Sequence, residues 1–331
     1  MKKIINAPEA FVDETIESLL VAHPDHFSVV GGDQRVLVRG AEKSGKVGIV
    51  TGGGSGHLPL FLGYVGPGLC SAVAIGNVFS SPSAEQMFAA IQAADEGAGV
   101  LCLYGNYGGD VLNFDLACDF ADVEDIATAT VLGIDDVLSA PRDRADSRRG
   151  VAGLVLAYKV AGAAAAEGRS LDEVVAVTRR AVSEMGTAGV GLSPTILPAA
   201  GQPTFTLPDG EMEIGIGIHG EPGQHRGPLE SADAIAQRLF DAVQGDLGLT
   251  SGDRIAVLVN GLGATPLEEL YVVYRKVAQL CADAGIAIER RYIGEYATSL
   301  EMAGASLSLL RVDDELLGLL DAPSSSPLVR F

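Results

Sequence analysis

Glycine placed directly after short apolar runs is the feature that most constrains this chain. Val47-Gly48-Ile49-Val50-Thr51 leads straight into Gly52-Gly53-Gly54-Ser55-Gly56-His57, and Val100 to Tyr104 leads into Gly105-Asn106-Tyr107-Gly108-Gly109-Asp110. A short apolar, partly β-branched run that stops at glycine reads as a buried strand followed by a turn. Between these two, Cys70-Ser71-Ala72-Val73-Ala74 predicts a further strand, and Pro82 opens a helix through Ala94 with Ser81 or Ser83 as its N-cap. A helix follows Asp110 to about Phe120, and Thr128 to Leu132 predicts a fourth strand. Strands alternating with amphipathic helices make residues 1–185 an α/β domain with a mostly parallel sheet covered on both faces. Ligands of such sheets gather at the loops leaving the carboxyl ends of strands, where both glycine-rich segments fall.

Val151 to Met185 is helix-rich, and within it Gly150 to Gly168, mostly Ala and Gly with Lys159 inside, reads as a buried helix and not a membrane crossing. Beyond it the texture changes. Pro194, Pro198, Pro203 and Pro208 punctuate short segments, and Glu211 to His219 predicts a strand in which Ile214, Ile216 and Ile218 alternate with glycine. Ile255 to Asn260 predicts a buried strand, Pro266 to Ala284 an amphipathic helix, and Ile286 to Ile293 and Ser306 to Val312 two more strands. Residues 186–331 therefore read as a smaller α+β domain, and a length of 331 residues suits two domains at ~150 residues each.

Charge narrows the function. The chain carries 23 Lys and Arg against 43 Asp and Glu, a net charge of −20. Nucleic acid and anionic membranes draw affinity from clustered cations, and the one local cluster, Arg142, Arg144, Arg148 and Arg149, is interleaved with acids. Cys70, Cys102, Cys118 and Cys281 show no CxxC spacing and read as small buried hydrophobes, neither a disulfide frame nor a zinc site. Asn6, Pro8 and Glu9 end the apolar start of the chain short of a signal-peptide core, which leads us to expect a cytoplasmic protein.

Three polar segments can carry chemistry. Gly52 to His57 is either a sharp strand-to-helix turn or a backbone cradle for a ligand; it lacks the Lys-Ser/Thr ending of a P-loop, and Lys43 and Lys46 precede the strand. Asp110 either caps the following helix or reaches a substrate hydroxyl as general base. His219, in Gly215-Ile216-Gly217-Ile218-His219-Gly220-Glu221-Pro222-Gly223, is either a structural histidine or a nucleophile and base with unusual backbone room. His219, Glu221 and His225 do not make a helical zinc motif, because Pro222 and Gly223 intervene; no metal is expected on this chain.

Together these segments resemble the sugar-binding subunit of dihydroxyacetone kinase, the DhaK family. The resemblance runs from Lys2 to near the end and includes Gly63-Tyr64-Val65-Gly66, Val78 to Ser83, Asn106-Tyr107, Gly109-Asp110, Gly217 to Gly223, Asn260 to Pro266 and Thr298-Ser299-Leu300. It implies the two-domain DhaK fold. It also implies that His219 adds to the ketone carbon as a covalent hemiaminal, that Asp110 is the base for the hydroxyl to be phosphorylated, and that His57 orients it. Gly53 and Gly54, with Ser55, would bind the substrate's oxygens.

The chain departs from the family pattern at two places. Gly105 stands where a lysine commonly precedes Asn-Tyr, and Leu58 and Phe61 replace polar residues in Gly56-His57-Leu58-Pro59-Leu60-Phe61. Losing a donor while opening space favours a larger ketose such as erythrulose as a rival to dihydroxyacetone. The resemblance further implies a homodimer, and a separate DhaL-type subunit carrying ATP or ADP with Mg2+, or fed by a phosphotransferase-system DhaM-type donor, because phosphoryl transfer needs metal and phosphate clamps that this chain lacks. The alternative is a ketose-sensing paralogue that serves a transcription regulator.

Overall fold

The computed structural model describes residues 2–40 and 45–331, so Met1 and residues 41–44, Lys43 among them, lie outside the described residues. Two six-stranded sheets organise the chain. The first contains β1 (Phe27–Val30), β2 (Asp33–Arg39), β3 (Gly48–Ser55), β4 (Ala72–Val78), β5 (Val100–Gly105) and β6 (Thr128–Gly133), in the order β1-β2-β4-β3-β5-β6. The four strands from β4 to β6 in that order run parallel. The β1–β2 hairpin, which the sequence reading does not assign, adds an antiparallel edge.

Five helices accompany this sheet: α1 (Phe11–Ala22), α2 (Ala84–Ala94), α3 (Gly108–Val123), α4 (Leu154–Ala166) and α5 (Leu171–Ser183). Alternate strand residues face opposite layers. Val50, Val100 and Cys102 pack with α2 and α3, whereas Ile49, Leu101 and Leu103 pack with α4. Ser83 caps α2 in a reciprocal capping box with Gln86. α4 is apolar all round because it lies between layers: its core includes Ala256, Leu258 and Leu310 from the far half of the chain. Lys159, buried within α4, donates its ammonium protons to the carbonyls of Leu319 and Ala322. No helix of the described residues is long and apolar enough to cross a membrane.

The second sheet contains β7 (Met185–Ser193), β8 (Glu211–Ile214), β9 (His225–Pro228), β10 (Arg254–Gly261), β11 (Ala287–Gly294) and β12 (Ala303–Arg311), in the order β11-β10-β12-β7-β8-β9. Only β10 and β11 are parallel. α6 (Ala232–Leu247) and α7 (Leu267–Asp283) bury their apolar stripes on it, while α8 (Asp314–Asp321) returns to the core of the first half.

Three sequence expectations need correction. Gly52 to Ser55 is not a turn but the end of β3, paired to β4 through Gly52–Ala74, Gly53–Ile75 and Gly54–Gly76. The helix-rich stretch is two helices separated at Gly168, whose φ of 81° is left-handed, and its last residue, Met185, opens β7. The strand expected from Glu211 to His219 stops at Ile214, because Gly215 takes a φ of 82° and turns the chain out of the sheet.

Candidate functional site

Just past β3, Gly56 turns the chain with a φ of 100°, and His57 follows at 1% exposure. Its Nδ1 lies 2.7 Å from the carbonyl oxygen of Thr298. A carbonyl only accepts, so Nδ1 carries the proton. The ring stacks on Phe79 at 4.8 Å and meets Phe61 edge-on. Burial, reinforced by the neighbouring His219, holds the His57 pKa down to about 3, so the ring is neutral with a bare Nε2. Phe61 and Phe79, which pack on this ring, and Leu300, whose N–H donates to the carbonyl of Gly56 just before it, all have left-handed φ. Such backbone outliers concentrate where surrounding structure overdetermines a site.

His219 approaches from the second sheet on an irregular segment. Its Nε2 lies 3.1 Å from His57 Nε2, and Phe79 and Tyr107 flank its ring at 5.1 and 4.8 Å. One carboxylate clamps it twice: the backbone N–H donates to Glu221 Oε2 at 3.0 Å, and Nδ1 donates to Glu221 Oε1 at 3.1 Å. Arg149 stands behind that carboxylate, 4.0 Å from Oε2, while donating to Asp136 and to the carbonyl of Gly215. Gly217 makes room for both, since a Cβ there would sit 2.0 Å from Glu221 Oε2 and 2.6 Å from Arg149 Nη1. Burial pushes the Glu221 pKa up, but the His219 bond and charge outweigh it and bring it to about 2. With both δ nitrogens committed as donors, the 3.1 Å contact between the ε nitrogens is a hydrogen bond only when one of them holds a proton.

Asp110 occupies the first turn of α3 at 8% exposure and does not cap the helix. It accepts a hydrogen bond from Ser81 Oγ at 2.5 Å. Burial raises its pKa to about 6, with the Ser81 bond and the charge of His219 pulling the other way. Two histidines and a carboxylate with environments this different form a site that can hold a nucleophile, a neutral proton donor or acceptor, and a base.

The Dak1 domain matches residues 17–328 of this sequence. The chain belongs to the DhaK family, the dihydroxyacetone-binding subunits of dihydroxyacetone kinases. Among the relatives is a DhaK subunit of a phosphotransferase-dependent dihydroxyacetone kinase from Listeria innocua, 45% identical over 95% of both chains. The DhaK subunit of the PEP-dependent kinase of Escherichia coli is 41% identical over 100% of this chain and 99% of its own. A D-erythrulose kinase of Mycolicibacterium smegmatis is 43% identical, with the match covering 99% of this chain but only 56% of that longer one. Among solved structures, the C. freundii dihydroxyacetone kinase in complex with AMP-PNP and Mg2+ superposes with a TM-score of 0.89 at 29% identity, over 98% of this chain and 60% of that one. The dihydroxyacetone kinase operon co-activator DhaQ superposes with a TM-score of 0.88 at 31% identity, over 94% and 96%.

In this DhaK chain the structure brings His57 and His219 into contact and puts Asp110 close enough for the charge of His219 to act on it. Gly53 and Gly105 lie beside them, each covered by an aromatic ring. A Cβ on Gly53 would be 2.4 Å from the Phe61 ring, and one on Gly105 would be 3.2 Å from the Tyr107 ring. The room expected at Gly105 is therefore taken up by Tyr107. Gly54 packs against the backbone of Phe79 and Ser80. Ser55 and Leu58 line a neighbouring cleft of about 460 Å³ with Lys3, Phe11 and Thr298. Sequence reasoning considers Ser81 only as a helix N-cap, Arg149 only as part of a basic cluster and Glu221 only as a metal ligand, and gives no role to Asp136. The one signal for that clamp is Gly217 in a segment whose other glycines serve turns.

Proposed function

We propose that this chain captures a short-chain ketose as a hemiaminal on His219 Nε2 and presents its hydroxyl, through Asp110, to a separate phosphoryl-donor subunit. The observation that carries this reading is the His219 clamp: with Nδ1–H pinned on Glu221, the ring is held in the tautomer whose free nitrogen is Nε2, aimed at His57. As the Nε2 lone pair forms the N–C bond, the carbonyl π pair moves onto oxygen, which takes a proton from solvent, while the His219 ring, made cationic by the new bond, passes its Nδ1 proton to the Glu221 carboxylate it already touches. The adduct is thus neutral at oxygen and at the ring, and His57, whose bare Nε2 has no proton to give, stays neutral throughout. A polyol offers no electrophile, so glycerol is refused by chemistry and not by size. Asp110, at the start of α3, then accepts the proton of the hydroxyl as phosphoryl transfer proceeds.

The donor is a DhaL-type subunit holding ATP or ADP with Mg2+, re-phosphorylated where the system is phosphotransferase-dependent by a DhaM-type protein. The subunit names of the Listeria and E. coli relatives support a multi-subunit kinase, and the AMP-PNP and Mg2+ of the longer C. freundii enzyme support a nucleotide-bearing partner. Erythrulose stands beside dihydroxyacetone as substrate, since relatives named for either sugar are about equally similar. The resemblance to DhaQ favours a second reading, a ketose sensor that binds a transcription regulator. Turnover of dihydroxyacetone, D- and L-erythrulose and glycerol by the chain reconstituted with DhaL and its donor separates the two. Phosphorylation of the ketoses but not of glycerol is expected; ketose binding without turnover would give the sensor reading.

A further inference from the structure

Cys102 and Cys118 were expected to be two more buried hydrophobes, but the structure pairs them. Cys102 is fully buried on β5 and Cys118 is half-buried on α3, with their sulfurs 3.9 Å apart. The other two cysteines, Cys70 and Cys281, are buried, and burial pushes both thiols up and away from reactivity.

We propose that Cys118 and Cys102 form a hydroperoxide-responsive dithiol, with Cys118 as the attacking sulfur and Cys102 as the resolving one, whose disulfide staples α3 to β5. The asymmetry of the pair assigns these roles. Cys118 is the one solvent reaches, and its thiol is drawn down to about 7 by the hydrogen bond with Cys102, against the pull of burial and aided by Thr128 and Thr130 on β6. Asp115, one turn earlier on α3, opposes the thiolate more weakly. The same bond, together with burial, pushes the Cys102 thiol up. A low-pKa accessible thiol beside a second cysteine is the arrangement of redox-sensing sites. A second feature marks the same place. The Tyr104 hydroxyl is buried without a hydrogen-bond partner, close enough to Asp115 and both cysteines for their charge to add to the burial that raises its pKa. A sulfenate oxygen on Cys118 would give that hydroxyl an acceptor.

The chemistry balances with hydrogen peroxide as oxidant. The Cys118 thiolate attacks one peroxide oxygen, an S–O bond forms as the O–O bond breaks, and the departing hydroxide leaves as water after taking a proton. Cys102 sulfur then attacks Cys118 sulfur, the S–S bond forms as the S–O bond breaks, and the leaving oxygen takes the Cys102 proton to give a second water. Closing the sulfurs from 3.9 Å to a bond of about 2 Å draws α3 toward β5. Asp110 sits in the first turn of that helix and Tyr107 immediately before it, so the staple spans the turn between β5 and the proposed base.

The test treats the native chain with hydrogen peroxide and reads intact mass, non-reducing peptide maps and turnover in the reconstituted kinase. A loss of two hydrogens mapped to a Cys102–Cys118 link is expected, with turnover down about tenfold and restored by dithiothreitol. Cys118→Ser, which lies outside the machinery described above, should keep basal activity and lose the link and the peroxide sensitivity. Cys102→Ala should instead trap a dimedone-reactive sulfenic acid on Cys118. Peroxide that yields no link, a link between two chains, or a link that leaves turnover unchanged would overturn the proposal. The mass readout does not depend on the ketose chemistry, so failure of the dithiol and failure of the hemiaminal reading are distinguishable.

Discussion

The two sheets meet at one site but hold their residues in different ways. The first places His57 and Asp110 through backbone: each follows the carboxyl end of a parallel strand, His57 two residues past β3 with its ring anchored on the backbone carbonyl of Thr298, and Asp110 in the first turn of α3. The second sheet gives His219 no such support. β8 ends five residues before it, and the ring is positioned by side chains, through Glu221, Arg149 and Asp136. Backbone placement survives the loss of a neighbouring side chain, whereas a side-chain clamp fails with any member. The half of the site held by side chains should therefore be the more fragile to conservative substitution.

The largest effect tests the backbone-held half. Asp110→Asn removes the base without disturbing its placement and is expected to lower kcat by on the order of 10²–10⁴-fold while ketose capture persists. Loss of capture along with turnover would show that the two halves are not separable. The wild-type rate should also fall below pH 6, since protonation of Asp110, at about 6, removes the base; it should rise with pH through that point and then level, and in Asp110→Asn this limb should vanish.

The clamp comes next. Glu221→Gln keeps size but loses the charge that fixes Nδ1–H, and Gly217→Ala puts a methyl where the carboxylate lies. Both are expected to slow ketose capture by on the order of 10–100-fold with little change in melting temperature. Equal capture rates in Glu221→Gln and wild type would remove the positioning role and with it the contrast between the sheets.

Smaller effects refine it. The Asp110 carboxyl has a folded pKa raised above its unfolded value, so the native state binds its proton more tightly. That contribution is fully present below about pH 4 and is lost as pH rises through about 6. Asp110→Asn should therefore match wild type in denaturant unfolding near pH 4 and be more stable by about 1–3 kcal/mol near pH 8. Phe61→Ala uncovers Gly53 and should shift the ratio of erythrulose to dihydroxyacetone turnover by less than about tenfold. An unchanged ratio would take Phe61 out of substrate selection.

What was legible in the sequence follows the same division. Short apolar runs with glycine at their ends located β3, β4, β5 and β6, and the α7 stripe was plain, because these depend on local pattern alone. His57, Asp110 and His219 were singled out by several ordered motifs taken together, and of these the structure places the two histidines in contact. The glycines of β3 read as a turn because composition reports freedom and not pairing; only β4 alongside keeps them extended. The end of β8 was hidden because the isoleucine alternation continues through Ile216 and Ile218 after Gly215 has left the sheet. Arg149 and Asp136 are distant from His219 in sequence and join it only when the two sheets close, and no local pattern carries such a contact. Room at Gly105 was inferred from what is missing at that position, whereas the Tyr107 ring that fills it comes from two residues further on.

The covalent role of His219 is tested most directly by ¹³C NMR of the chain with dihydroxyacetone labelled at its carbonyl carbon. Wild type is expected to convert the carbonyl resonance of the bound sugar into one of a saturated carbon bearing nitrogen and oxygen, and His219→Ala is expected to show only free ketone and its hydrate. A bound ketose that keeps its carbonyl resonance in wild type, or a saturated adduct that persists in His219→Ala, would contradict capture at this histidine.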